Sequence, residues 1–163
     1  MERRLIIMRH AKSTHDDPTL SDHQRPLSDR GWSQAREISE RLVENDWVPQ
    51  ILISSDSTRT RQTWEAMTAL HDEEITLQWD ENLYLAGPQA IASALEELRD
   101  EITDVMVLGH NPGWEAALAY FTGEYQTLTT SNAVLLSAQA DSWSDLLRPK
   151  AFELVSILRP RKG

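Results

Sequence analysis

The chain has no cysteine, which excludes disulfide bonds, thiolate nucleophiles and cysteine-ligated metals. Glycine (6) and proline (7) are scarce among 163 residues, so neither a fibrous nor a low-complexity chain fits. Positive charge is the minority: 16 Lys and Arg stand against 26 Asp and Glu, a net charge of −10. That balance argues against nucleic acid as the main partner, because phosphate backbones select basic faces. It also makes any cluster of arginines conspicuous. No apolar run approaches the roughly 20 residues that cross a bilayer, and Met1 to Ile7 reads as a short strand rather than a signal peptide. What is present is 40% hydrophobic residues, enough for a core. The expectation is one domain over residues 1–163, cytoplasmic, with no membrane association.

Short apolar runs alternate with helical patterns. Leu5-Ile6-Ile7-Met8, Ile51-Leu52-Ile53 and Val105-Met106-Val107-Leu108 are continuous, as strands covered on both faces should be. Gly31 to Asp46 repeats apolar residues at Trp32, Ala35, Ile38, Leu42 and Val43, with Ser28 or Asp29 as cap. A second helix starts near Ser57 with Trp64, Met67 and Leu70 on one face. A third starts at Pro88 with a stripe of Ile91, Ala94, Leu95, Leu98 and Ile102. Asn111-Pro112 predicts a fourth start, with Asn as cap and Pro as first helical residue. Ile75 to Trp79, Ala133 to Ala138 and Phe152 to Leu158 read as further strands. Such alternation predicts an α/β sandwich with a largely parallel central sheet. Ser13 to Leu27 is long, polar and proline-containing, a loop over a site. The basic tail Arg159 to Gly163 is expected to fray.

Two histidines occupy equivalent places. His10 ends the first apolar run and His110 ends the run Val107-Leu108-Gly109. The carboxyl ends of parallel strands form the ligand crevice of an open sheet, so both imidazoles are expected in one cleft. Arg9 adds a fixed charge beside His10, and Arg59 follows the strand Ile51 to Ile53 at the same edge. Two arginines and two histidines converging on one point suit a tetrahedral dianion, because guanidinium forks match phosphate oxygens and a neutral imidazole can act as nucleophile.

Four stretches carry a resemblance. Met8-Arg9-His10-Ala11-Lys12-Ser13 resembles the Arg-His-Gly/Ala signature of the histidine phosphatase superfamily, in the form of its SixA-type branch of protein phosphohistidine phosphatases. Arg25-Pro26-Leu27-Ser28-Asp29-Arg30-Gly31 is similar to the family's Arg-Pro-Leu…Gly stretch. Ser54 to Thr63 resembles its Ser-x-x-x-Arg-x-x-Gln-Thr motif, and Gly109-His110-Asn111-Pro112-Gly113 its second-histidine motif. The resemblance implies a three-layer α/β/α, phosphoglycerate mutase-like fold and a phosphohistidine intermediate on His10. Arg9, Arg59 and His110 would hold the phosphoryl oxygens, with Ser13 and Arg25 as further phosphate or substrate contacts. No metal or cofactor is implied. The partner would be a phosphorylated protein or a small phosphorylated substrate.

One departure bears on substrate. Ester-cleaving relatives carry a Glu general acid in a Leu-x-Glu-like stretch, where this chain has Leu83-Tyr84-Leu85, and Glu81 lies two to four positions early. A positioned acid is worth roughly 10²–10⁴-fold for an alkoxide leaving group, and far less for an imidazole protonated beforehand. This favours phosphohistidine over sugar phosphates. The alternatives are a small-molecule ester phosphatase using Glu81 or another loop carboxylate, and a module that binds phosphate without turnover. Ordinary structural readings stand beside these. His10 alone could be a satisfied strand-end residue, His110 a turn residue and Arg59 a solvated helix residue. Arg25 could merely brace the loop. His15 and His23 beside Asp16, Asp17 and Asp22 read as a solvated loop before they read as a metal site, Arg61 reads as solvated, and the six tryptophans read as core.

Overall fold

The apolar run around Leu5 forms the middle of strand β1 (Glu2–Arg9) in a computed structural model that describes residues 1–161. Five more strands follow: β2 (Ile51–Ser54), β3 (Thr76–Trp79), β4 (Asp104–Gly109), β5 (Ala133–Gln139) and β6 (Glu153–Leu158). The helices are α1 (Asp29–Glu44), α2 (Thr58–Ala66), α3 (Pro88–Glu96) and α4 (Gly113–Thr122). The strands form one sheet in the order β3-β2-β4-β1-β5-β6. β1 to β4 run parallel, while β5 is antiparallel to both β1 and β6. The expected α/β sandwich with a largely parallel sheet is therefore present.

Strand side chains alternate across the sheet, and the continuous apolar runs follow from burial on both faces. Leu5 and Ile7 join Ile53, Val107 and Val134 under Ile91, Leu95, Trp114 and Phe121 of α3 and α4. Ile6 and Met8 join Leu52, Met106 and Leu108 under Ala35, Ile38 and Leu42 of α1 and Met67 and Leu70 after α2. The two edge strands are less covered: three of four residues of β3 and three of six of β6 are exposed.

Several boundaries differ from the sequence pattern. The buried face of α1 is narrower than expected, since Trp32 and Val43 are exposed. Trp47, Trp114 and Trp143 are core residues, but Trp64 and Trp79 are only half-buried. α3 stops at Glu96, and Leu98 and Ile102 reach the core from irregular chain. In that irregular stretch the fully buried Arg3 donates to the carbonyls of Asp100 and Ile102 at 2.8 Å each. Pro112 sits at the cap of α4 rather than inside it, although Asn111 Oδ1 still accepts from the Glu115 amide at 3.3 Å. Arg159 is not frayed: it donates to Thr127 O and Asn132 Oδ1. Lys162 and Gly163 of the expected basic tail lie outside the described residues.

Candidate active site

Adjacent strands bring the two histidines together. Arg9 pairs with Gly109 in the β1–β4 register, so His10 and His110 leave the sheet at the same level. The His10 amide donates to Gly109 O at 2.9 Å. The two imidazole centroids lie 5.2 Å apart. On the other side of β4, the Ser55 amide donates to Leu108 O, which puts Ser55 beside His110. Gly109 has to be glycine here, because a Cβ would come within 2.5 Å of the Trp114 ring.

Arg59 arrives through a helix start. Ser57 is the N-cap of α2, and its side chain accepts from the Thr60 amide. Arg59 in the first turn is 3% exposed, and its Nε donates to His10 Nε2 at 3.3 Å. Its Nη1 donates to Asp22 O at 2.7 Å and its Nη2 to Asp22 Oδ2 at 3.1 Å. Arg9 is anchored by donation from Nη1 to Leu128 O at 2.9 Å, leaving its buried Nε with no hydrogen-bond partner among the described residues. His10, His110, Arg9 and Arg59 thus share one carboxyl edge.

A backbone carbonyl settles the His10 tautomer. The Ala11 carbonyl can only accept, so His10 Nδ1 carries the proton in the 2.6 Å contact and Nε2 keeps its lone pair. His10 is 7% exposed, and burial pulls its pKa down. The Ala11 carbonyl pulls it up, while the charges of Arg59, Arg9 and Arg25 add to the downward shift, to about 3. His10 is therefore a neutral imidazole whose unprotonated Nε2 accepts from Arg59 Nε. His110 is also lowered to about 3, by burial first and then by His10 and Arg59. Ser55 Oγ accepts from the Ser57 amide at 3.4 Å and lies 2.8 Å from His110 Nε2. If the Ser55 hydroxyl donates to that nitrogen, the proton sits on His110 Nδ1, a buried atom with no partner among the described residues.

Three contributors were not singled out by sequence reasoning: Ser55, Asp22 and Tyr84. Tyr84 sets its ring edge-on to His110 at 5.2 Å and donates its hydroxyl to Asp22 Oδ2. That hydroxyl bond, followed by the contact with Arg59, holds the Asp22 carboxyl well below the usual carboxylate range, although burial opposes it. Leu-Tyr-Leu in place of Leu-x-Glu was the one available signal for Tyr84. Leu85 and Glu81 are exposed.

Among the described residues Ser13 and Arg25 make no hydrogen bond to His10, although the Arg25 charge acts on it. Arg25 Nη1 donates to Ser13 Oγ at 2.8 Å and to His15 Nε2 at 2.9 Å, and the guanidinium also pairs with Asp22 at 3.2 Å. It braces the loop over the site. His23 pairs with Asp56 at 3.0 Å and packs edge-on against Tyr84. Arg61 is not simply solvated, since it lies over the Trp79 ring, 4.5 Å from its centroid.

A family model described as the histidine phosphatase superfamily (branch 1) matches residues 5–84. An uncharacterized chloroplastic protein of Arabidopsis thaliana is 36% identical, over 98% of this chain and 79% of its own length. An uncharacterized protein of Mycobacterium tuberculosis is 31% identical, over 94% of this chain and its whole length. Among solved structures, a protein proposed to be the phosphohistidine phosphatase SixA from Agrobacterium tumefaciens superposes with a TM-score of 0.83 at 25% identity, covering 97% of this chain and 98% of its own. The protein histidine phosphatase SixA, solved with tungstate, has a TM-score of 0.82 at 20% identity, over 96% and 97% of the two chains. A counterpart from Nakamurella multipartitia, also proposed to be SixA, reaches 0.87 at 22%, over 99% and 98%.

Proposed function

The chain belongs to the histidine phosphatase superfamily, and we propose that within it this phosphatase acts on protein phosphohistidine, with His10 as the nucleophile. The observation that carries this reading is the state of His10: neutral, with its proton fixed on Nδ1 by the Ala11 carbonyl and its Nε2 lone pair beside Arg59. In the first step Nε2 forms a bond to phosphorus as the bond from phosphorus to the substrate's imidazole nitrogen breaks. That imidazole, protonated beforehand on its other nitrogen, leaves neutral. The Ala11 carbonyl stabilises the positive charge that His10 acquires. In the second step water attacks phosphorus, the bond to Nε2 breaks, and the water's hydrogens are shared between phosphate and solvent. Arg59, Arg9 and the Nδ1–H of His110 supply donors for the equatorial oxygens, the electrostatic help that phosphoryl transfer chiefly needs.

Phosphohistidine is favoured over an ester because no carboxylic acid stands ready to protonate an alkoxide. Leu85 occupies the position of the family's acid, Glu81 is exposed, and the carboxylate at the site, Asp22, is held ionised by Tyr84 and Arg59. The test is kcat/KM on a panel of phosphohistidine peptide, phosphoramidate, aryl phosphate and sugar phosphate. Phosphohistidine is expected to exceed sugar phosphate by roughly 10²–10⁴-fold. Comparable values would overturn the leaving-group reading. A native protein that acquires no acid-labile, base-stable phosphate on brief exposure to substrate would mark a binding module instead.

A further inference from the structure

Resting on the reading of this site as a phosphoryl-transfer centre, we propose that Asp22 is a built-in stand-in for the phosphoryl group and that Tyr84 is a further phosphoryl-binding residue, engaged when substrate displaces Asp22. Two donors converge on one oxygen of Asp22: the Tyr84 hydroxyl and Arg59 Nη2 at 3.1 Å. A second donor of the same guanidinium, Nη1, takes the Asp22 backbone carbonyl at 2.7 Å. The neighbouring Nε faces His10 Nε2, the atom on which phosphorus would be carried. A phosphoryl group there would want adjacent donors of the Arg59 fork, since guanidinium recognises such oxygens two at a time. Nη2 is engaged with a carboxylate oxygen, which is itself an anionic acceptor. The two anions make the same demand on one donor, so they compete.

The segment that carries Asp22 is suited to yielding. It is a short 3₁₀ turn, Asp22–Gln24, with no buried residue. The Asp22 side chain is 49% exposed. Apart from the His23 ring edge-on to Tyr84, polar contacts hold the turn: Arg25 with Asp22, His23 with Asp56, and the pairs just described. Segments held by few apolar contacts open most readily. The Tyr84 ring, by contrast, rests on His110 and lies 5.9 Å from the Arg59 carbon, so its hydroxyl stays at the site when Asp22 leaves. Burial and Asp22 both raise the Tyr84 pKa, which keeps the hydroxyl a donor. The consequence is selective: free phosphate must displace a carboxylate and binds weakly, whereas a larger phosphorylated substrate has further contacts with which to displace it. Asp22 would then also hasten release of the product.

Inorganic phosphate is the probe, measured on the full chain by calorimetry and as product inhibition. Asp22→Asn and Asp22→Ala are expected to tighten phosphate about tenfold, the scale of one charge-assisted hydrogen bond. Adding Tyr84→Phe to Asp22→Asn should remove most of that gain. Weaker phosphate binding in both Asp22 variants would overturn the proposal and make Asp22 a holder of Arg59. Unchanged affinity, or a double variant as tight as Asp22→Asn, would overturn it as well. Circular dichroism checks folding, and Asp22→Asn, which keeps the side-chain shape, carries the test if the alanine variant does not fold. The expected phosphate pattern without turnover of a phosphohistidine peptide would defeat the proposed function alone. Turnover with unaltered phosphate affinity would defeat the stand-in alone.

Discussion

Arg59 Nε points at His10 Nε2 across 3.3 Å, a donor aimed at the lone pair of a neutral imidazole. A cation beside a nucleophile discourages its protonation without blocking its attack, and the same donor meets the phosphoryl oxygens as they arrive. His10→Ala should therefore abolish turnover and phosphate labelling while far-UV circular dichroism stays native. Arg59→Ala should lower kcat by roughly 10²–10³-fold, the usual cost of one oxyanion donor. A folded His10→Ala protein that retains turnover would remove His10 from the mechanism.

Ser55 is the less obvious member of the site. Its hydroxyl is the hydrogen-bond partner of His110 Nε2, so Ser55→Ala should leave His110 in a mixture of tautomers. A several-fold to roughly tenfold loss in kcat is expected, with little change in KM, as befits about 1 kcal/mol of hydrogen bonding. Ser55→Thr, which keeps the hydroxyl, should recover part of it. A nitrogen-15 spectrum of the His110 ring reads the tautomer directly, and an unaltered tautomer in Ser55→Ala would contradict this account.

The pKa shifts of His10 and His110 have a definite sign. Both are lowered from 6.5 to about 3, so between these values the unfolded chain binds protons that the folded chain does not. Stability then rises with pH across this window and is lost progressively as pH falls below about 6.5. Burial is the main cause for both groups, with Arg59 beside them and Asp22 opposing at His110. Urea midpoints measured from pH 7 to pH 4 should fall continuously, and the fall should be shallower in His110→Asn. Ring proton shifts of the two histidines that titrate near 6.5 in the folded protein would refute the assignment.

Gly31 explains the glycine of the Arg-Pro-Leu…Gly stretch. It lies in the first turn of α1, and a Cβ there would stand 2.2 Å from the Lys12 carbonyl oxygen. Lys12 O also accepts from the amide and the hydroxyl of Ser28, so backbone just past the nucleophile is pressed against the helix start. An alanine for glycine inside a helix normally stabilises by roughly 0.5–1 kcal/mol. Gly31→Ala should do the opposite, costing about 1–3 kcal/mol by overpacking. A Tm lower by about 2–4 °C per kcal/mol is the expected readout at this chain length. An unchanged or higher Tm would show that the α1 start is looser than described.

How much was legible beforehand depended on whether the signal was local. The apolar runs at Leu5, Ile51 and Val105 specify strands by themselves, because a strand buried on both faces is rich in continuous apolar residues. Capping and proline signals gave the four helices their approximate starts, but periodicity did not give every end. At α3 the stripe ran on to Ile102, yet the carbonyls there are taken by Arg3, a partner from the other end of the chain. The exposure of Trp32 likewise depended on what the helix packs against and not on its spacing. At the site, Arg9, His10, Arg59 and His110 could be named because strand ends in a parallel sheet share an edge.

The sequence alone determined the class of sheet, the two histidine-bearing strand ends and the excess of arginine at one edge of an acidic chain, since each is written in consecutive residues. Only the tertiary structure decided that Asp22 and Tyr84 meet at Arg59, that Ser55 orients His110, and that Arg25 braces the loop. Those contacts join residues 37, 62 and 55 positions apart for Asp22–Arg59, Asp22–Tyr84 and Ser55–His110. A hydrogen bond between polar groups so far separated leaves no period in the chain, because its geometry exists only once the sheet has closed the distance.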